Sequence, residues 1–358
     1  RYRAVVGVQA LAMGLVAAAD KSGLEIVYGS YPITPASDIL HTLSRYKHHG
    51  IATVQAEDEI AAVGVAIGAS FGGALGITGT SGPGIALKGE AMGLAMITEM
   101  PLVIVNVQRG GPSTGLPTKT EQSDLMQALY GRNGDAPMPV IAASTPGDCF
   151  EVAYEACRIA VKYMTPVLLL SDGYLANGSE PWLIPDPDSL NAFDVTFADK
   201  PNHKVDGEDV FWPYLRDEKT LARPWAKPGT AGLEHRVGGL EKEDGSGNVS
   251  YDSMNHEKMT QLRFEKVKRI QQEIPATEIF GDPDADLLIV GWGSTRGAIE
   301  AGVTRSIAAG LKVASIHLRF ISPLPGDLTE VFSQFKQFLV PELNNGQLVR
   351  VLRDEYLL

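Results

Sequence analysis

The chain has 358 residues, 44% hydrophobic and 21% charged, which is enough for two domains and at least one sizeable core. Its formal charge of −12 leaves no basic footprint for phosphates, so no nucleic-acid partner is expected. The only two cysteines, Cys149 and Cys157, cannot ligate a four-cysteine iron–sulfur cluster and read as buried thiols in a reducing compartment.

No apolar run reaches membrane-spanning length and no signal-peptide pattern is visible, so no membrane partner and a cytoplasmic location are expected. Arg1 is not an initiator, and the chain stops just after an apparent helix; both ends are read as possible interior points of a longer polypeptide.

Through the first ~180 residues, short apolar strands alternate with helical stretches, the pattern of a parallel α/β sheet. Strands are predicted at Ile26–Tyr28, Ala52–Gln55, Leu75–Thr78, Leu102–Val107, Val140–Ala143 and Val167–Leu170. Helices are predicted at Gln9–Asp20, Ala36–Tyr46, Asp58–Phe71, Ile85–Thr98 and Gly147–Tyr163. From about Asn177 to Gly247 the chain is rich in Pro, Gly, Asp and aromatics with no sustained period, as functional or interface insertions often are. A polar helix, Ser253–Gln272, closes this stretch. A second α/β pattern then runs through Asp286–Val290, Lys312–His317 and Phe338–Val340. The expected division is 1–178, 179–275 and 276–358.

Tyr31-Pro32-Ile33-Thr34-Pro35 is the most informative segment. Its two prolines fix φ and remove two backbone donors, so it forms a stiff strand-to-helix turn. Pro35 biases Thr34 away from helical geometry. The Thr34 hydroxyl either faces the cleft at the sheet's C-terminal edge or caps the following helix.

Glu57-Asp58-Glu59 comes next, and acids here complement a helix N-terminus. Glu57 and Glu59 lie two apart and point in different directions, so one can enter a pocket while the other stays in water. A buried carboxyl would have a raised pKa and could share a proton with a heterocyclic nitrogen. The small residues that follow, Ala61 to Ser70, leave a flat surface for another chain or a cofactor ring.

Gly79–Gly84, with Ser81 and Gly82 at its centre, makes a tight turn whose amides could hold an anion or a ring substituent. Arg109 opens the polar loop Gln108–Lys119 directly after an apolar strand; its planar guanidinium suits a carboxylate, or else an ion pair on a solvated loop. Gly291–Gly297 has the spacing Gly-x-Gly-x-x-x-Gly but no well-placed acid for a ribose, so a structural turn or partner contact is expected.

Together these segments resemble the α-subunit of the 2-oxoacid:ferredoxin oxidoreductases, closest to the 2-oxoglutarate type. The resemblance is carried by Tyr31–Pro35, Gln55–Glu57, Thr80–Gly84, Gly110–Thr118 with Glu121–Asp124, Gly131–Ala136, the strand ending at Asp172-Gly173, and Val340–Asn344. It implies a thiamine diphosphate-binding parallel-sheet domain of the pyrimidine type, an irregular linker, and a smaller α/β domain like the transketolase C-terminal one. A β-subunit would share the thiamine diphosphate and carry Mg²⁺ and a [4Fe-4S] cluster. No metal is expected on this chain.

The implied reaction is coenzyme A-dependent oxidative decarboxylation of 2-oxoglutarate to succinyl-CoA with reduction of ferredoxin, or its reverse. Pyruvate and branched-chain or aryl 2-oxoacids are the alternative substrates. A non-catalytic α/β partner-binding module is the alternative of another class. An (αβ)₂ heterotetramer and a further γ domain or subunit are implied partners.

Carried over by resemblance, Glu57 hydrogen-bonds N1′ of the aminopyrimidine, while Thr34 and Arg109 bind the 2-oxoacid. Tyr31, Pro32, Ile33, Ser81 and Gly82 line the cofactor. Arg132 and Lys119 are the nearby cations considered for a distal carboxylate. Asn133 departs from relatives, which often carry His in this segment.

Overall fold

A computed structural model describes residues 2–357. Its centre is a seven-stranded sheet. In spatial order the strands are Phe320–Ser322, Val140–Ala142, Pro166–Asp172, Leu102–Gln108, Leu75–Thr80, Ile26–Ser30 and Ile51–Gln55. All neighbours are parallel except the first pair. Every residue of Leu75–Thr80, Leu102–Gln108 and Pro166–Asp172 is buried. That is why these strands read as continuous runs: helices cover both faces. Gly7–Ser22 and Asp148–Tyr163 pack on one face; Glu59–Phe71 and Gly89–Ile97 pack on the other.

The small residues of helix Glu59–Phe71 have a structural use on its inner side. A Cβ at Gly76 would lie 1.9 Å from the Ala66 carbonyl oxygen, and one at Gly29 would lie 2.2 Å from that of Ala62. The helix therefore sits almost on the backbone of its two strands. On the outer side, Gly64 and Gly68 are exposed, and a Cβ there would meet nothing.

The predicted helix Ile85–Thr98 is two helices, Gly82–Leu87 and Gly89–Ile97, broken at Lys88. The predicted start at Ala36 moves to Ser37, and Thr34 is not its cap. Ser37 Oγ instead accepts from the Ile33 amide at 2.8 Å. Among the strands that went unpredicted, Tyr2–Val6 runs antiparallel to Ser179–Leu183, and His203–Val205 pairs with Glu208–Val210.

The following stretch has little regular structure, but it is well anchored. Buried Trp225 donates from its indole to the Ser70 carbonyl at 3.0 Å, and Arg223 Nε donates to that of Thr98 at 2.9 Å. Helix Ser253–Arg269 closes over it. The C-terminal four-stranded sheet has the order Phe280–Gly281, Val313–Leu318, Leu287–Trp292, Gln337–Leu339. The neighbouring strand Phe320–Ser322 crosses into the large sheet, so the two units share one framework.

A buried charge cluster ties these layers together. Glu99, with φ of 51°, accepts from Arg216 Nη2 at 2.5 Å and from Lys266. Burial alone would raise the Glu99 pKa, but the charges of Arg216 and Lys266 outweigh it and hold the group at about 2. Its contribution to stability is thus fully present above pH ~4.5 and is lost as pH falls toward ~2. Glu99→Gln is expected to cost about 3–5 kcal/mol, because two cations stay buried without their partner. It should also flatten the acid limb of a urea-unfolding series between pH 5 and 3. An unchanged acid limb would remove Glu99 as the titrating group.

Candidate active site

Four adjacent strands end at one edge of the large sheet, and the loops that leave them carry most of the residues singled out by sequence. The turn after Ile26–Ser30 carries Tyr31 to Pro35. The loop after Ile51–Gln55 carries Glu57. Ser81 and Gly82 follow Leu75–Thr80, and Arg109 follows Leu102–Gln108. Parallel strands put these loops at the same end, where α/β proteins bind ligands.

The Tyr31 turn is held from beneath. Tyr31 is buried and its hydroxyl lies 2.5 Å from Thr80 Oγ1. Burial pushes its pKa up, with the Thr80 bond opposing. Thr34–Pro35 is a cis peptide. Pro32 and Thr34 are exposed and Ile33 is half-buried. Arg109 reaches across and donates from Nη1 to the Thr34 carbonyl at 2.5 Å. The structure thus brings Thr34 and Arg109 together, through the Thr34 backbone; among the described residues nothing bonds the Thr34 hydroxyl.

Arg109 is not a solvated loop residue. It is 5% exposed, and its Nε is buried without a partner among the described residues. It lines a cleft of about 670 Å³ together with Gly82, Gly111, Ser113, Glu121 and Asp124.

The acid triplet divides into three roles. Asp58 caps the helix, accepting from the Ala61 amide at 2.8 Å. Glu59 turns inward, where its charge acts on Tyr31 and on Lys88. Glu57 turns outward and is exposed; no described residue bonds its carboxylate. A carboxyl buried within this chain is therefore not what the fold supplies. Glu57 instead stands beside an open apolar surface: Ile60 is 60% exposed and Val54, on the sheet's edge strand, 37%. With the bare outer faces of Gly64 and Gly68, this surface fits a flat ring or a second chain, which would bury the acid on binding.

Ser81 contributes less than expected from its side chain, since its hydroxyl is spent on the Val107 carbonyl at 2.8 Å. Gly82 opens a helix too short to count as an anion site, but it borders the cleft. Arg132 is spent as well. Its guanidinium bonds the carbonyls of Ala128, Leu129 and Ala136, and burial brings its pKa down to about 10. Lys119 is exposed.

Sequence reasoning gave no role to the layer beneath the cleft. Asn106 Nδ2 donates to Asp124 Oδ2 at 2.9 Å, and the Asp124 amide donates to Gln108 Oε1 at 3.1 Å. Burial raises the Asp124 pKa, with the Asn106 bond opposing. Glu121 accepts from the Gly111 amide at 3.2 Å and closes the loop behind Arg109. A polar residue at alternate positions of an otherwise apolar strand, Asn106 and Gln108, was the available signal.

The second domain braces the same loop. Gln122 Nε2 donates to the Trp292 carbonyl at 2.9 Å, and Asn344 Nδ2 donates to the Gln122 carbonyl at 2.8 Å. Gly293 has φ of 59°, and a Cβ there would lie 2.2 Å from Gln122 Nε2. The glycine-rich turn at 291–297 is thus a packing element, in keeping with its expected structural use.

A parallel sheet covered on both faces, with an outward acid, a braced proline turn and a buried arginine at one end, defines an α/β protein whose candidate site lies at the C-terminal ends of its strands. The chain belongs to the pyruvate flavodoxin/ferredoxin oxidoreductase thiamine diphosphate-binding family, whose model matches residues 18–255.

It is 56% identical over 358 residues to the 2-oxoglutarate oxidoreductase subunit KorA of Mycobacterium tuberculosis, covering 99% of this chain and 53% of that one. It is 32% identical to the 2-oxoglutarate synthase subunit KorA of Archaeoglobus fulgidus, covering 90% of this chain and 84% of that one. Among solved structures, the 2-oxoglutarate:ferredoxin oxidoreductase of Magnetococcus marinus superposes with a TM-score of 0.90 at 36% identity. That match covers 99% of this chain and 60% of the other, and the structure holds 2-oxoglutarate, coenzyme A and succinyl-CoA. A split-gene transketolase matches at a TM-score of 0.54 and 13% identity, which is a likeness of fold alone. The chain spans about half the length of the Mycobacterium relative. No helix among the described residues is long and apolar enough to cross a membrane.

Proposed function

We propose that this chain is the α-type unit of a 2-oxoglutarate:ferredoxin oxidoreductase, converting 2-oxoglutarate and coenzyme A to succinyl-CoA and CO₂ while reducing ferredoxin, or running in reverse. The observation that carries the reading is Arg109, a buried guanidinium with a spare donor at the wall of a cleft, in a chain whose relatives are named for 2-oxoglutarate.

Thiamine diphosphate supplies the carbon nucleophile and electron sink for decarboxylation. This chain supplies the pyrimidine and substrate side of the site. Glu57 meets the pyrimidine edge and holds a proton there, and the surface around Ile60, Gly64 and Gly68 accepts the ring and a β-subunit. Tyr31, Pro32 and Ile33 shape the wall beside it, with Ser81 and Gly82 as backbone lining. Arg109 pairs with the 1-carboxylate, and the Thr34 hydroxyl is free to bond the substrate's oxygens. Mg²⁺ and the [4Fe-4S] cluster belong to the β-subunit in this reading, within an (αβ)₂ assembly. The three expected segments, 1–178, 179–275 and 276–358, serve as cofactor domain, clasp and brace.

The test follows coenzyme A-dependent dye reduction by the purified complex with 2-oxoglutarate, pyruvate and 2-oxoisovalerate. The expected result is a preference for 2-oxoglutarate of at least about 10-fold in kcat/KM, the discrimination of one well-placed polar contact. Equal or better use of pyruvate overturns the substrate; no coenzyme A-dependent reduction with any of the three overturns the reading.

A further inference from the structure

We propose that Lys88 is a positioning residue that sets the place of Glu57 by anchoring the first turn of helix Glu59–Phe71. Lys88 stands at the break between helices Gly82–Leu87 and Gly89–Ile97 and is wholly buried. Its Nζ donates to the Glu59 carbonyl at 2.7 Å and lies 5.0 Å from the centre of the Tyr31 ring. One side chain thus joins three loops of the site: the Tyr31 turn, the start of the acidic helix and the turn after Thr80. The backbone at Gly84 packs directly against this layer, since a Cβ there would lie 2.0 Å from Thr80 Oγ1 and 2.2 Å from the Tyr31 hydroxyl.

An ammonium is an expensive way to fill a core. Burial brings the Lys88 pKa down to about 8, against the pull of Glu59 and Asp58. An apolar side chain of similar length would fill the same volume without that cost, but it could not bond a carbonyl two residues from Glu57. That carbonyl lies in the helix turn that Asp58 caps, so fixing it fixes the direction in which Glu57 leaves the strand.

This inference rests on the reading of Glu57 as the cofactor-facing acid. The experiment uses the assembled complex carrying Lys88→Met, Lys88→Arg or Glu57→Gln. Steady-state kinetics are paired with amide hydrogen exchange of residues 57–63, with and without thiamine diphosphate. For Lys88→Met, kcat is expected to fall by about 10-fold or more, with the KM for 2-oxoglutarate within about threefold of the parent. Half-saturation by thiamine diphosphate should rise about 10-fold.

Exchange should quicken at 57–63 and stay unchanged in the central strands, and Lys88→Arg should recover about half of the lost kcat, because it restores a donor to the carbonyl. A kcat within about twofold of the parent overturns the proposal, and so does a loss of activity with exchange quickened evenly across the sheet. If Lys88→Met does not assemble, Lys88→Gln, a shorter neutral donor, is read by the same criteria. An active Glu57→Gln enzyme would overturn the Glu57 reading, while the exchange data would still decide whether Lys88 anchors that turn.

Discussion

Glu57→Gln in the assembled complex is expected to lower turnover by about 10²–10⁴-fold, the range for loss of a positioned proton-transfer group. Subunit stoichiometry and thermal stability should be unchanged. The second half of that expectation follows from the geometry. Glu57 is exposed, outside the helix it precedes, and bonded to no described residue, so amidation removes no internal contact. Glutamine keeps the size and one acceptor oxygen but cannot share a proton. The neighbours make informative controls. Asp58→Asn keeps the cap on the Ala61 amide and should cost less than about 1 kcal/mol of stability, with turnover little changed. If the two variants lose activity alike, the loss comes from the helix start and Glu57 has no special role. If Glu57→Gln turns over at the parent rate, the acid is not the group that faces the cofactor.

Exposure of Glu57 also decides how its chemistry can arise. In the proposed reading a ring and a second subunit cover Ile60, Val54 and the outer faces of Gly64 and Gly68, and with them Glu57. In that reading the site is completed only by assembly.

How much of this was legible in sequence differs between layers. The central parallel strands of the large sheet were legible because burial on both faces forces continuous apolar runs bounded by glycine and proline. Every predicted strand from Ile26 to Leu170 overlaps an observed one. The break at Lys88 was not legible: one lysine in an apolar stretch reads equally as a snorkelling surface residue, and only the fold shows its target to be a carbonyl 29 residues away.

The pairing of Tyr2–Val6 with Ser179–Leu183 was hidden for a similar reason, since short, half-exposed strands distant in sequence carry no local period. Of the site, the residue types and their shared sheet edge were readable. The commitments of Ser81 to Val107, Arg132 to three carbonyls and Arg109 to Thr34 were not. Donor partnerships of this kind are settled by tertiary geometry that spacing does not encode.

Arg109 carries the other large expected effect. Arg109→Met should raise the KM for 2-oxoglutarate by about 10- to 150-fold, the equivalent of the 1.5–3 kcal/mol that a hydrogen bond to a charged group contributes. Arg109→Lys should recover little of it. Nη1 of the guanidinium holds the Thr34 carbonyl at 2.5 Å, Nε is buried without a partner among the described residues, and the side chain lines the cleft. A planar fork can donate in both directions; an ammonium on a flexible stem acts as one point charge and cannot keep both bonds in the same plane.

The tether also links the two residues proposed to bind substrate, because an Arg109 that releases Thr34 frees the turn that carries the Thr34 hydroxyl. Thr34→Val in the Arg109→Met background should therefore add less than it does alone, a coupling that a double-mutant cycle on kcat/KM measures directly. Strict additivity of the two losses would mean that the residues act independently and that the bond between them organises nothing. A KM left unchanged in Arg109→Met would move the 1-carboxylate away from this wall of the cleft altogether.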